Sequence, residues 1–252
     1  MKLRVHYVDS HVLYPADFLQ WAFTKHYPDI EGDIYTEGLP MEENKPYWAF
    51  DNYRLNGTQV KALPLFYTQP GWTKNFAQQY GMDNIKCVTY ACEPTVHKHI
   101  DNEKIYDVGF VGNFDDPTGE RQEQLEFLSK HYKVFISDKI KTEDIAGVYS
   151  KCKIIFNQVR NEEINIRFFE GLAMGAQVVT YKPALHLFAE EDKHYVTYIT
   201  IPELKYKIDT LLAGDERRNR MSMLASEHVN AFHTYQHRAK EMLLFIQQKQ
   251  YV

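Results

Sequence analysis

Three polar side chains stand where an apolar helix has no packing need for them. Asn165, Arg167 and Glu170 fall in the opening turns of N-I-R-F-F-E-G-L-A-M-G-A (165–176), whose Phe168, Phe169, Leu172 and Ala173 form an apolar side. Free backbone N–H groups and the positive end of the helix dipole attract an anion at such a place, and an arginine adds a bidentate grip. A ligand carrying both phosphate and hydroxyls would suit the trio. Arg167 and Glu170, three apart, also have the spacing of an intrahelical ion pair. A cation at a helix start is unfavourable unless it binds an anion, which favours the ligand reading.

A second constellation is Tyr106-Asp-Val-Gly-Phe-Val-Gly112-Asn113, an apolar strand ending in glycine before a loop and a helix that carries Arg121. Gly112 lets the backbone approach a ligand, and loop amides with Arg121 could meet phosphate. The run is not G-x-G-x-x-G, so a dinucleotide site is weakly supported. A third is Ile154-Ile-Phe-Asn157-Gln158, a strand whose end turns polar, followed by Arg160, Glu162 and Glu163 in a loop that also reads as a solvated acidic stretch.

These groups need elements to position them. Helical spacing over Asn165–Met174 with Gly175 at the C′ position, then a strand at Gln177–Thr180, continues an alternation that begins at residue 106. The spacing predicts strands Tyr106–Gly112, Lys133–Ile136 and Ile154–Asn157, and helices Glu120–His131 and Thr142–Ser150. Helices follow at Arg217–Ala231 and Tyr235–Lys249. Such a βαβα order predicts a parallel sheet with helices on both faces and a ligand beyond the carboxyl ends of its strands.

Upstream the signals are shorter: a strand at Leu3–Val8, a helix at Asp17–Lys25, and a loop from Pro28 to Pro46 with at most a short strand at Asp33–Thr36. Strand-like runs follow at Tyr47–Phe50, Leu63–Thr68 and Lys86–Tyr90, with a helix at Thr73–Tyr80. The polar stretch Pro94–Lys104 predicts a domain boundary. The expected domains are 1–104, 105–232, and a closing helix over 233–252 that crosses back to the first.

At 252 residues and 44% apolar content the chain can bury one large core or two small ones. No stretch reaches the roughly 18 apolar residues of a membrane span, and the first residues lack a signal-peptide core, so a cytoplasmic location is the expectation. Cys87, Cys92 and Cys152 form no Cys-x-x-Cys pair and point to neither a disulfide framework nor a zinc site. A net charge of −5 opposes a general nucleic-acid footprint. High aromatic content, 14%, suits either a wall for a flat ligand or a core padded with rings.

Tyr106–Asn113, Ile154–Asn157, Asn165–Ala176 and the closing His233-Thr-Tyr-Gln-His-Arg-Ala239 occur in an order that resembles the CgeB/spore-maturation type of glycosyltransferase. The resemblance covers about residues 65–245. It implies a GT-B-like α/β fold, with two Rossmann-like domains whose parallel sheets face a cleft and an N-terminal domain that is abridged. The nucleotide sugar would lie mainly on the C-terminal domain. Carried over, Glu170 would accept hydrogen bonds from ribose hydroxyls, Arg167 and the helix N-terminus would hold the diphosphate, and Gly112 and Asn113 would line the donor pocket. Glu162 and Glu170 fit the E-x7-E spacing of related retaining transferases, although this family does not depend on the first acid.

The chain has no Asp-x-Asp triplet, so the expectation is a metal-independent hexosyl transfer with no cofactor and a UDP-glucose-like co-substrate. Arg167, Arg121 and Lys139 are the cations available to the leaving diphosphate. Asp9, His11 and Asp51, at or after strand ends, are the candidates for the acceptor's general base. His233 and His237 have helical ligand spacing but no third partner, and a bracing role for 233–239 is favoured. The acceptor is open among a saccharide, a protein, a small molecule and modified DNA. Rival readings are a non-catalytic nucleotide-sugar-binding or structural protein of the same fold, and a phage-type transferase acting on hydroxymethylated pyrimidines in DNA.

Overall fold

The computed structural model describes residues 3–9, 14–28, 30–36, 47–49, 65–68, 74, 78, 83, 85–114, 118–159, 164–181 and 188–249. The chain forms two compact units, Met1–Ala91 with Thr234–Val252, and Cys92–His233. Among the described residues no helix is long and apolar enough to cross a membrane.

The first unit holds a parallel sheet of β1 (Leu3–Asp9), β2 (Ile30–Thr36), β3 (Tyr47–Ala49), β4 (Leu65–Tyr67) and β5 (Ile85–Cys87), ordered β2-β1-β3-β4-β5. β2 is longer than the short strand expected inside a Pro- and acid-rich loop. Its seven residues pair with the whole of β1, from Leu3 opposite Ile30 to Asp9 opposite Thr36, and that ladder outweighs a weak local propensity. Of the helix expected over Thr73–Tyr80, only Lys74 and Gln78 are described, both helical.

Helix α1 (Tyr14–His26) buries Leu19, Ala22 and Phe23, one stripe at helical spacing. The final helix, Tyr235–Gln248, belongs to this same unit: the Tyr235 ring packs tilted against Phe18, and Phe245 meets Phe66 edge to face. Thr234 starts it with a capping box in which His237 supplies the returning acceptor. Arg238, buried, donates from Nε and Nη2 to the carbonyls of Thr89 and Tyr90 and ties the helix to the strand-end segment.

The second unit repeats the plan. It contains β6 (Tyr106–Val111), α2 (Glu120–His131), β7 (Val134–Ser137), α3 (Ile145–Tyr149), β8 (Cys152–Asn157), α4 (Ile166–Ala173), β9 (Gln177–Tyr181), β10 (Tyr195–Tyr198), α5 (Ile201–Ala213) and α6 (Asp215–Phe232). The Tyr235–Gln248 helix is α7. The sheet is parallel throughout, ordered β10-β9-β8-β6-β7. One of its faces is covered by a core of Val108, Phe110, Ile154, Phe156, Val179 and Val196 against Leu125, Leu128, Leu204 and Ile208 from α2 and α5.

Two expectations are corrected here. The helix predicted over Thr142–Ser150 is a 3-10 turn, Thr142–Asp144, followed by the short α3. The boundary expected after Lys104 lies at Ala91/Cys92. Polar composition suggests a linker, but several polar groups of 92–104 bond within the second unit: Asn102 bonds Ser150, His99 reaches the Met174 carbonyl, and Glu93 accepts from the Thr95 amide and hydroxyl.

Candidate functional site

The strand order of the second unit reverses between β6 and β8. The chain goes from β6 to β7 on one side and then returns to β8 on the other. In open α/β sheets this switch point is where ligands bind. β6 ends there in Val111, followed by Gly112, β8 ends in Asn157, followed by Gln158, and α4 begins at Ile166.

The first turn of α4 is fixed by Asn165, the N-cap residue, whose Oδ1 accepts from the Phe168 amide. The far end is a Schellman closure, with Gly175 at φ 70° and the Ala176 amide bonding the Gly171 carbonyl, so the helix stops where the sequence predicts. Asn165 therefore has a structural task that the ligand reading did not give it. Its Nδ2 also donates to Asn157 Oδ1 at 2.8 Å.

That same oxygen accepts from Arg167 Nη1 at 3.1 Å, while Arg167 Nε donates to the Val111 carbonyl at 2.7 Å. The guanidinium lies over the Phe110 ring, 4.3 Å from its centre. Gly112 has φ 149°, and a β-carbon there would collide with Arg167 Nη2. The close approach that Gly112 permits is thus made by Arg167 itself. Burial lowers the pKa of this guanidinium, the neighbouring Tyr149 hydroxyl opposes the shift, and an arginine stays charged regardless. Among the described residues no carboxylate pairs with it. The Arg167–Glu170 ion pair allowed by their spacing does not form.

Arg121 has a different place from the one expected. It is buried, with Nε on Gln158 Oε1, Nη1 on the Asn113 carbonyl and Nη2 on the Gln158 carbonyl. It clamps the two strand-end loops to each other instead of facing outward. Asn113 is exposed beside Gly112, and Lys139 is exposed just past the end of β7 with its amide on Ser137 Oγ.

Glu170 is 3% exposed. Its Oε1 lies 3.3 Å from His97 Nε2. Burial pushes the Glu170 carboxyl up to about 8 and pulls the His97 imidazole down to about 4. Both shifts favour a neutral pair near pH 7.

Of the acceptor-side candidates, Asp9 closes β1. His11, Asp51 and Glu162 lie outside the described residues. His233 packs its ring on Phe169 and Phe188, and His237 caps α7, so neither shares a ligand set with the other. The polar close of β8 is visible in the sequence, but the double acceptor role of Asn157 is not. Nothing in the local pattern signals Phe110 and Tyr149 as neighbours of Arg167, or His97 as the neighbour of Glu170.

Solved structures share this architecture. Sucrose-phosphate synthase from Thermosynechococcus elongatus superposes with a TM-score of 0.69 at 10% identity, over 98% of this chain and 99% of that one. A glycosyltransferase from Rickettsia africae gives 0.68 at 9%, over 99% of each chain. HepE from Anabaena, solved in complex with UDP and glucose, gives 0.69 at 10%, over 98% of this chain and 100% of that one. At such identities the likeness is one of fold, and the fold is that of the GT-B glycosyltransferases. No curated protein matches the sequence. Residues 97–244, the span that holds His97, Gly112, Asn157, Arg167 and Glu170, match the family described as glycosyl transferase-like. The chain belongs to the glycosyl transferase-like family.

Proposed function

We propose that this protein transfers a hexosyl group from a nucleoside diphosphate sugar, UDP-glucose or a close analogue, to an acceptor hydroxyl, and that it resembles the CgeB type within its family. The observation that carries the proposal is Arg167. A permanent cation is held at the switch point by Val111 and Asn157, and no described carboxylate neutralises it. A diphosphate is the ligand class that suits such a fixed charge beside a helix N-terminus. HepE, which shares the fold, is known in complexes with UDP and with UDP-glucose.

In this reading Arg167 and the α4 amides stabilise the charge that grows on the diphosphate as the glycosidic bond breaks, electrostatic work that fixed donors perform without reorganising. Glu170 meets the ribose hydroxyls. Asn113 and the Gly112 backbone border the donor, and Asn165, Asn157 and Arg121 shape the crevice. Lys139 is a second cation for the diphosphate. No Asp-x-Asp triplet occurs in the sequence, so the proposal assigns no metal ion to the leaving group. Asp9, His11 and Asp51 are the candidates for the base that takes the acceptor's proton.

The test is calorimetry with UDP and UDP-glucose on the wild type and Arg167→Ala, followed by transfer or hydrolysis of labelled UDP-glucose. Binding by the wild type and its loss in the variant is the expected result. Equal binding by both would overturn the site, and binding without turnover against any hydroxyl acceptor would make the protein a sugar-nucleotide binder.

A further inference from the structure

A buried carboxyl that meets a ligand hydroxyl must be aimed, and Glu170 has an unusual neighbour for that purpose. The segment Glu93–His97 is a tight turn. The Val96 and His97 amides both bond the Glu93 carbonyl, and Glu93 Oε1 accepts from the Thr95 amide and hydroxyl. Within this turn the Glu93 amide donates to His97 Nδ1 at 2.9 Å. A nitrogen that accepts an N–H carries no proton, so the neutral imidazole must carry its proton on Nε2. Nε2 is the nitrogen 3.3 Å from Glu170 Oε1, and both side chains are almost wholly buried.

Oε1 is buried and, although Nε2 lies within hydrogen-bond distance, it makes no hydrogen bond in this structure. No described residue donates to Oε2, which is not among the fully buried unpaired atoms. The two carboxyl oxygens therefore have different surroundings. Other titratable and charged groups around α4 are directed elsewhere: Arg167 to Val111 and Asn157, His99 to the Met174 carbonyl, His228 to the Phe188 carbonyl, and His233 to the rings of Phe169 and Phe188.

We infer that His97 is the positioning residue for Glu170: the Glu93–His97 turn fixes which imidazole nitrogen carries the proton, sets that N–H beside Oε1, where it bonds the carboxylate once Glu170 ionises, and leaves Oε2 as the edge that meets a ligand hydroxyl. The inference rests on the reading of Glu170 as the group that meets the donor's ribose. It adds a proton to the binding event. Two ribose hydroxyls donate best to an ionised carboxyl, so nucleotide binding draws Glu170 toward its charged form, and the Nε2–H is the group that supports that charge. The proton lost from Glu170 leaves to buffer, because His97 Nδ1 is occupied by the Glu93 amide.

The experiment compares wild type, His97→Gln, which keeps an N–H able to reach Oε1, and His97→Phe, which keeps a ring and removes the donor; His97→Met replaces the phenylalanine variant if that one does not fold. In protein labelled with 13C at glutamate carboxyls, the buried carboxyl assigned through Glu170→Gln is titrated by NMR without nucleotide. In parallel, UDP binding is measured by calorimetry across pH in buffers of different ionisation enthalpy.

His97→Phe should raise the carboxyl midpoint by about one to two pH units, the effect of losing one hydrogen bond to a charged group, and move the pH profile of UDP affinity with it. His97→Gln should restore both, and wild-type binding should release protons near pH 7. A carboxyl midpoint equal in all three proteins overturns the role of His97, even if UDP binds. A moved midpoint in a protein that binds no UDP at any pH instead overturns the ribose reading of Glu170, a separate result.

Discussion

The guanidinium of Arg167 lies across Gly112, at the point where any β-carbon on residue 112 would strike its Nη2. A glycine at the end of a strand usually reads as a turn or as room for a ligand. Here it is room for a protein cation, and the two residues form one feature although they come from different elements.

Gly112→Ala should accordingly do two things. The φ of 149° and the collision together should cost about 2 kcal/mol or more of stability. Displacement of Arg167 should also weaken UDP binding at least tenfold. Chemical denaturation and calorimetry on the same preparation separate the two effects, and a variant with unchanged UDP affinity would show that Arg167 is not held by this contact.

Asn157 is the shared acceptor of Asn165 and Arg167. Asn157→Leu leaves two donors without that partner and should destabilise by about 1–3 kcal/mol. Asn157→Asp keeps the acceptor and adds a negative charge against the guanidinium. It should fold normally and lose most of its affinity for UDP, since the cation is then already paired. An aspartate variant that binds UDP as the wild type does would argue that the anion does not sit at Arg167.

Arg121 offers the contrasting case. Its donors hold the Asn113 carbonyl and both acceptors of Gln158. Arg121→Ala should lower stability by about 2–3 kcal/mol while changing UDP affinity much less than Arg167→Ala does. A reversed pattern, full stability with abolished binding, would return Arg121 to the role of a phosphate ligand.

The buried pair Glu170 and His97 should shape the pH dependence of stability. Glu170 is raised from 4.5 to about 8, so its contribution is fully present below pH 4.5 and is lost as pH rises through 8. His97 is lowered from 6.5 to about 4, so its contribution is present above pH 6.5 and is lost as pH falls through 4. Glu170→Gln should remove the alkaline loss, on the order of 3–5 kcal/mol between pH 5 and 8.5. Urea denaturation of both proteins over that range measures it, and parallel pH profiles would contradict the assignment.

How much of this was legible beforehand follows from the range of each interaction. The helix α4 is readable because its causes are local: an apolar stripe at helical spacing and a glycine that can take φ 70°. The alternation of strands and helices from residue 106 to 181 is readable for the same reason and leads to a parallel sheet, whereas the pattern predicts neither β10 nor α5. Local pattern understates β2 because the ladder that stabilises it belongs to β1, and it places the boundary too late because His99 and Asn102 bond partners far along the chain.

The sequence by itself determined which residue types arrive at the switch point: a glycine-ended strand, a strand closed by asparagine, and an arginine three residues before a glutamate. Only the tertiary structure decided their partners. Side-chain spacing allowed Arg167 to pair with Glu170, yet the sheet set Val111 and Asn157 within reach of the guanidinium and a distant turn set His97 against the carboxyl. One helix thus presents a cation held by carbonyls and an acid held in neutral surroundings. That separation has a simple cause. Hydrogen-bond partners are chosen by distance in space, and in a parallel sheet the neighbours of a strand end come from crossovers that local sequence does not encode.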